Sequence, residues 1–170
     1  MRDTIIFLHG KESTPATSSS AKAVKEYFIR YDVLVPDYRP LERTHEEIEA
    51  FLTALIEDVL KNDHLVYLVG ISLGGYWAYT MSCKFSEISH CILLNPSFRC
   101  YPDIPVIQPK PGLPISIIVN LDDDVVNPYD AIERFTGRAY IKTFDSGGHR
   151  FSNRDVMLVE IEKALNSISE

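Results

Sequence analysis

The chain has 170 residues, 45% of them hydrophobic, and a formal net charge of −7. That length suits one domain, 1–170, with a sizeable core, and the apolar share argues against a disordered chain. The acidic balance, with no basic block, argues against nucleic acid or an anionic membrane as partner.

The N-terminus passes at once into Thr4-Ile5-Ile6-Phe7-Leu8, read as a buried parallel strand. His9-Gly10 ends that run too soon for a signal-peptide core or a membrane span, so a soluble, unexported protein is expected. The three cysteines, Cys83, Cys91 and Cys100, show no C-x-x-C spacing, which fits a reducing, cytoplasmic setting. After a polar loop to Thr17, the apolar spacing of Val24, Tyr27, Phe28 and Tyr31 predicts a helix from about Ser20 to Tyr31. Val33-Leu34-Val35 is a second strand, stopped by Pro36. Thr44-His45-Glu46-Glu47 fits a capping box, and Ile48, Phe51, Leu52, Leu55, Ile56 and Val59 carry a helical stripe to about Leu60.

The third strand, Leu65 to Val69, breaks into Gly70-Ile71-Ser72-Leu73-Gly74 and then into a helix-compatible run ending near Phe85. A buried strand, a G-x-S-x-G turn and a helix together form the nucleophile elbow, which makes Ser72 the candidate nucleophile. Gly70 and Gly74 have a steric reason, because side chains there would collide where strand and helix approach most closely. Further strands are expected at Cys91-Ile92-Leu93-Leu94, Ile115 to Val119 and Ala139 to Phe144, and further helices near Pro128 to Phe135 and Arg154 to Ser167. The last should turn Met157, Ile161, Ala164, Leu165 and Ile168 inward. Six strands separated by helices predict an α/β fold, a doubly wound, mostly parallel six-stranded sheet with helices on both faces. The segment 95–114 holds six of the ten prolines and is expected to be a short proline-rich cap or loop over the carboxyl ends of the strands.

A serine hydroxyl needs a base, a group that orients the base and donors for an oxyanion. Asp122-Asp123-Asp124 follows the fifth strand, and Gly147-Gly148-His149 follows the sixth, so an acid and a histidine both lie just past strand ends. His149 is the candidate base; the residues alone leave the acid open among the three aspartates. In folds with such an elbow, amides just past the first strand and just past the nucleophile face the oxyanion, which selects the N–H groups of Lys11 and Leu73. His9 and Gly10 support that turn, with the His9 side chain read as a structural hydrogen-bonder. His45, His64 and His90 are assigned to structure or solvent. No metal-ligand spacing, G-x-G-x-x-G or P-loop is present, so neither metal nor cofactor is expected.

These residues resemble a family. Leu8-His9-Gly10 with Ser13-Thr14-Pro15 and Ala21-Lys22-Ala23, then Gly70 to Tyr76, then Leu94-Asn95-Pro96, are similar over nearly the whole chain to the small bacterial esterases of the YqiA/YcfP type within the α/β-hydrolase superfamily. The resemblance implies a minimal α/β-hydrolase fold, with Ser72 as nucleophile, Asp123 as acid, His149 as base and Phe151 as the aromatic that follows it. The family's spacing selects Asp123 if Val125-Val126 packs inward. Lys11 stands where that family has an aromatic residue, and 95–114 is shorter than its insert. The expected function is a serine hydrolase cleaving small carboxylic esters or thioesters through an acyl-enzyme on Ser72. Its partners would be small molecules, with no nucleic acid or membrane. The alternatives are a catalytically silent ligand-binding protein of the same fold and, less favoured for want of a phosphate-cradling loop, a flavodoxin-like nucleotide binder.

Overall fold

The computed structural model describes residues 1–167. Six strands, β1 (Thr4–Leu8), β2 (Asp32–Leu34), β3 (Val66–Ile71), β4 (His90–Leu94), β5 (Ile115–Asn120) and β6 (Tyr140–Phe144), form one sheet in the order β2-β1-β3-β4-β5-β6. Every neighbouring pair is parallel. Among the described residues are five helices: α1 (Ser19–Tyr27), α2 (His45–Val59), α3 (Leu73–Lys84) and α4 (Pro128–Phe135) lie in crossovers between strands, α5 (Arg154–Asn166) follows β6, and β4 passes to β5 without a helix. This is the doubly wound sheet that the alternation of apolar runs predicts.

Strand pleating divides the core. Ile6 and Leu8 of β1 face α2, α3 and α4 through Ile48, Leu52, Ile56, Trp77 and Phe135. Their neighbours Ile5 and Phe7 face α1 and α5 through Val24, Met157 and Ile161. Because helices cover both faces, the central strands are apolar on successive residues rather than alternating. The capping box at Thr44 forms as read, Thr44 Oγ1 accepting from Glu47 N–H and Glu47 returning a carboxylate to Thr44 N–H.

Three local expectations are corrected. α1 ends at Tyr27, because Phe28 leaves helical backbone as its C-cap, with its N–H on the Val24 carbonyl. Tyr27, expected on the buried face, is 43% exposed. β2 begins one residue early and is a half-exposed edge strand pairing only with β1. Ile168, expected to face inward from α5, lies outside the described residues.

The segment 95–114 contains no helix or strand. It starts at the carboxyl end of the sheet, where Ser97 N–H donates to the Ser72 carbonyl at 3.0 Å. It then packs Phe98 and Tyr101 against Tyr76 and runs along α3, where Tyr79 donates its hydroxyl to the Ile107 carbonyl. α3 therefore has protein on all sides, and its residues from Leu73 to Cys83 are buried. Among the described residues no helix is long and apolar enough to cross a membrane.

His90 opens β4 in the core, with Nε2 2.8 Å from Ser116 Oγ. Burial disfavours the imidazolium and pulls its pKa down to about 4. The unfolded chain, with histidine near 6.5, therefore binds the proton first as pH falls. Stability is full above that value and declines down to about pH 4, by about 3 kcal/mol at most from this residue. His90→Gln should flatten the decline in midpoint stability measured by denaturant unfolding from pH 7 to about pH 4. Flattening should be partial, because buried His9 has a pKa lowered for the same reason.

Candidate active site

The site forms where β1, β3, β4, β5 and β6 end. Ser72 joins β3 to α3 with φ 56° and ψ −121°, a backbone that residues with side chains rarely adopt. Its surroundings hold it there. Ser72 N–H donates to the Leu94 carbonyl at 3.0 Å, and its own carbonyl accepts from Gly75, Tyr76 and Ser97. A methyl group on Gly70 would sit 2.0 Å from the Gly74 carbonyl oxygen, and one on Gly74 would sit 1.9 Å from that of Leu8. The glycines thus allow β3, α3 and the end of β1 to touch backbone to backbone, as the motif reading requires.

His149 sits in the loop after β6, which turns through Gly147 and Gly148 at φ 149° and 70°. Its Nε2 lies 3.1 Å from Ser72 Oγ and its Nδ1 2.8 Å from Asp123 Oδ2. An ionised carboxylate only accepts, so Nδ1 carries the proton and the Nε2 lone pair faces the serine hydroxyl. The arrangement can therefore pass a proton from Ser72 Oγ to Nε2 while Asp123 holds the ring.

The three aspartates do different things. Asp123 meets His149; Asp122 accepts from the N–H groups of Gly147 and Gly148 at 3.3 and 2.8 Å; Asp124 is exposed. The expected reason for the choice is corrected, since Val125 does not pack inward but is 69% exposed. Asp123 is aimed by backbone instead, its Oδ1 accepting from Val125 and Val126 N–H at 2.9 and 3.0 Å. Burial works against ionisation of Asp123, but the hydrogen bonds from His149, Val126 and Val125 outweigh it and hold the carboxyl below its ordinary range.

At the end of β1, a methyl on Gly10 would lie 3.7 Å from Ser72 Cβ, so the turn that carries Lys11 is beside the serine. His9 is fully buried, and its Nδ1 is 2.9 Å from the Gly10 carbonyl, which only accepts, so Nδ1 carries a proton and donates there. Burial is the main cause of its lowered pKa. Tyr38, whose phenol burial keeps protonated, donates to the His9 carbonyl at 2.6 Å. The Gly10 carbonyl shares a peptide plane with Lys11 N–H, so holding one orients the other. Among the described residues neither Lys11 N–H nor Leu73 N–H has a backbone acceptor.

Sequence reading missed Asn120 and Asn153, and saw Asn95 only as a motif residue. All three support the histidine loop. Asn95 Nδ2 donates to the carbonyls of Gly148 and His149 at 3.1 and 2.9 Å, and Asn120 Nδ2 donates to that of Gly148 at 2.8 Å. Asn153 Nδ2 in turn donates to Asn120 Oδ1 at 2.9 Å. The available signal was position: Asn95 and Asn120 stand where apolar strands end, and Asn153 opens a helix.

The remaining histidines lie outside this group, His45 against the Tyr76 hydroxyl and His64 against Thr4 Oγ1. Among the described residues no three His, Cys, Asp or Glu side chains gather so as to hold a metal ion. A cavity of about 630 Å³ lined by Thr4, Tyr31, Val59 and His64 lies at the opposite end of the sheet and touches none of the serine, histidine and aspartate.

Residues 4–106 match the model of the uncharacterised protein family UPF0227. No curated protein matches the sequence significantly. A Xanthomonas campestris protein assigned to the hydrolases of the alpha/beta superfamily is 25% identical with a TM-score of 0.80, over 98% of this chain and 99% of that one. Est1E from Butyrivibrio proteoclasticus superposes with a TM-score of 0.83 at 15% identity, over 99% of this chain and 89% of its own. A structure from the metagenome-derived lipolytic enzymes LipS and LipT has a TM-score of 0.77 at 17% identity, over 99% and 94%. The fold is that of the α/β hydrolases.

Because the Asp123 pKa lies below its ordinary 3.8, the stability it contributes is full above that pH and is lost as pH falls through the lower, folded value. Asp123→Asn has no carboxylate to protonate. Its thermal midpoint should therefore fall less than that of the parent between about pH 5 and pH 2.5, measured by circular dichroism. An equal fall in both proteins would contradict this account of the carboxylate.

Proposed function

The chain belongs to the UPF0227 family, and on that premise we propose that it is a serine hydrolase cleaving small carboxylic esters or thioesters through an acyl-enzyme on Ser72. The observation that carries the reading is the continuous path from Ser72 Oγ through the two nitrogens of His149 to Asp123, at 3.1 and 2.8 Å. Likeness to esterases and lipolytic enzymes supports it at the level of fold.

In this reading Ser72 Oγ attacks the substrate carbonyl carbon as its proton moves to His149 Nε2. Negative charge develops on the carbonyl oxygen, where the Leu73 and Lys11 amides donate to it. Leu73 is also the first residue of α3, so the positive end of the helix dipole favours the same charge. Collapse of the tetrahedral intermediate breaks the bond to the alcohol or thiol, which leaves with the proton from Nε2. Water then repeats the sequence on the acyl-enzyme, giving its proton to Nε2, and the acid departs as Ser72 regains its hydrogen. Asp123 keeps the ring in the Nδ1–H tautomer and stabilises the imidazolium formed in each half-reaction; Asp122 orients backbone and takes no part in proton transfer.

Substrate size follows from the segment 95–114. Its apolar side chains Phe98 and Tyr101 are spent on α3 and its neighbours rather than forming a wall around a channel. Acyl chains up to about eight carbons should therefore be preferred.

A fluorophosphonate should add covalently to the intact protein and not to Ser72→Ala, as read by mass spectrometry. The same substitution should cost about 10⁶ in kcat and leave the thermal midpoint near that of the parent. Retention of a tenth of the activity would remove Ser72 from the role. Across p-nitrophenyl esters, kcat/KM should fall beyond about eight carbons. A steady rise to palmitoyl esters would refute the size limit.

A further inference from the structure

Leu94 and Asn95, consecutive residues at the end of β4, reach the two halves of the site in opposite directions. The Leu94 carbonyl accepts Ser72 N–H at 3.0 Å, fixing the strained elbow. The Asn95 amide grips the backbone of His149, 54 residues away, at 2.9 Å. The spacing between serine and imidazole is thus referred to a single peptide unit of the sheet.

The grip is more than one bond. The Gly148 carbonyl receives two amide donors, from Asn95 and Asn120, and the His149 carbonyl receives one. From the other side, Asp122 takes the N–H groups of Gly147 and Gly148. Asn95 and Asn120 are 1% and 0% exposed, so these bonds form without competition from water. Asn95 is also held from behind: its Oδ1 accepts Asn120 N–H at 2.9 Å, and its own N–H donates to the Ile118 carbonyl at 2.9 Å.

The chemistry requires an amide. Asn95 must donate two protons to carbonyl oxygens and accept one from Asn120 N–H, and no other side chain of that size has both functions. Aspartate has the same shape but would turn an oxygen toward two carbonyl oxygens. Asn95 also adopts φ 41°, where asparagine is tolerated better than most residues.

We propose that Asn95, Asn120 and Asp122 are positioning residues that clamp the backbone of residues 147–149 and so hold the His149 ring in register with both Ser72 and Asp123. The proposal rests on the hydrolase reading for its kinetic consequence, but the clamp itself is testable without turnover. None of the three residues touches a reacting atom. A displacement of about 1 Å at a reacting group can cost on the order of a hundredfold in rate, so loosening the loop should reduce kcat while leaving KM nearly unchanged.

Asn95→Gly isolates the amide, since glycine accepts the left-handed backbone and removes only the side chain. Its kcat on a short p-nitrophenyl ester should fall by about tenfold to a hundredfold with KM within about twofold. The low-field proton resonance of His149 Nδ1–H, assigned by its loss in His149→Gln, should broaden or shift. Asn95→Asp should lose at least as much. Should the Asn95 variants not fold, Asp122→Ala at an exposed position decides, with a kcat loss of about fivefold and the same change in the resonance. Either Asn95→Gly or Asp122→Ala with kcat within about twofold of the parent and an unmoved resonance overturns the clamp. So does a loss shared equally between kcat and KM with the resonance unmoved, which would mean general loosening. If the parent turns over no ester, the hydrolase reading fails, and the resonance alone judges the clamp.

Discussion

Everything at the site depends on backbone-to-backbone crowding at the end of β3. Gly70, Gly74 and the Leu8 carbonyl lie so close that a single methyl group would overlap its neighbour. That closeness presses α3 against the sheet and forces the intervening turn into the backbone of Ser72, whose φ is 56°. Such a conformation costs on the order of 1–3 kcal/mol and persists only where the surroundings over-determine it. Here they do so through the hydrogen bond that Ser72 N–H donates to the Leu94 carbonyl of β4 and the one that Ser97 N–H, in the segment after β4, donates to the Ser72 carbonyl. The result is a hydroxyl standing clear of both strand and helix, beside the first amides of α3.

The groups around Ser72 are arranged by neutral hydrogen bonds more than by opposed charge. Asp123 is the one carboxylate at the centre, and it is satisfied on one oxygen by backbone and on the other by imidazole. His9, Tyr38 and the asparagines all act as uncharged donors. Hydrogen bonds in such a low-dielectric pocket are stronger than in water, and at His9 they are made by Nδ1 alone, since buried Nε2 has no partner among the described residues. The acidic net charge of the chain plays no visible part in the geometry of the site.

Much of this was legible because it is local in sequence. The elbow is a five-residue pattern whose glycines report a contact, and the capping box at Thr44 is a four-residue one. The aim of Asp123 is less legible: inward packing of the two valines is the expected reason, whereas Val125 is exposed and it is the amides of both that hold the carboxylate. The end of α1 has no local signal, because no glycine or proline marks Phe28 and the apolar spacing continues past the turn into Tyr31. The asparagines were illegible for a different reason. Asn95, Asn120 and Asn153 are scattered over 59 positions, and each alone is an ordinary residue of a strand end or helix start. Only the parallel order of β3, β4, β5 and β6 brings them beneath one loop, and that adjacency has no local signature.

The complete enclosure of α3 has an evolutionary consequence. A helix with one wet face offers positions at which sequence drifts freely, but from Leu73 to Cys83 every substitution is a core substitution. Opening this helix locally would expose apolar surface on every side, so its amides should be released only when the whole molecule unfolds. New specificities would then have to arise at the strand-end loops, where residues such as Lys11, Val125 and Arg150 are exposed and contribute little to the core. The helix that presents the serine would pass through such diversification almost unchanged.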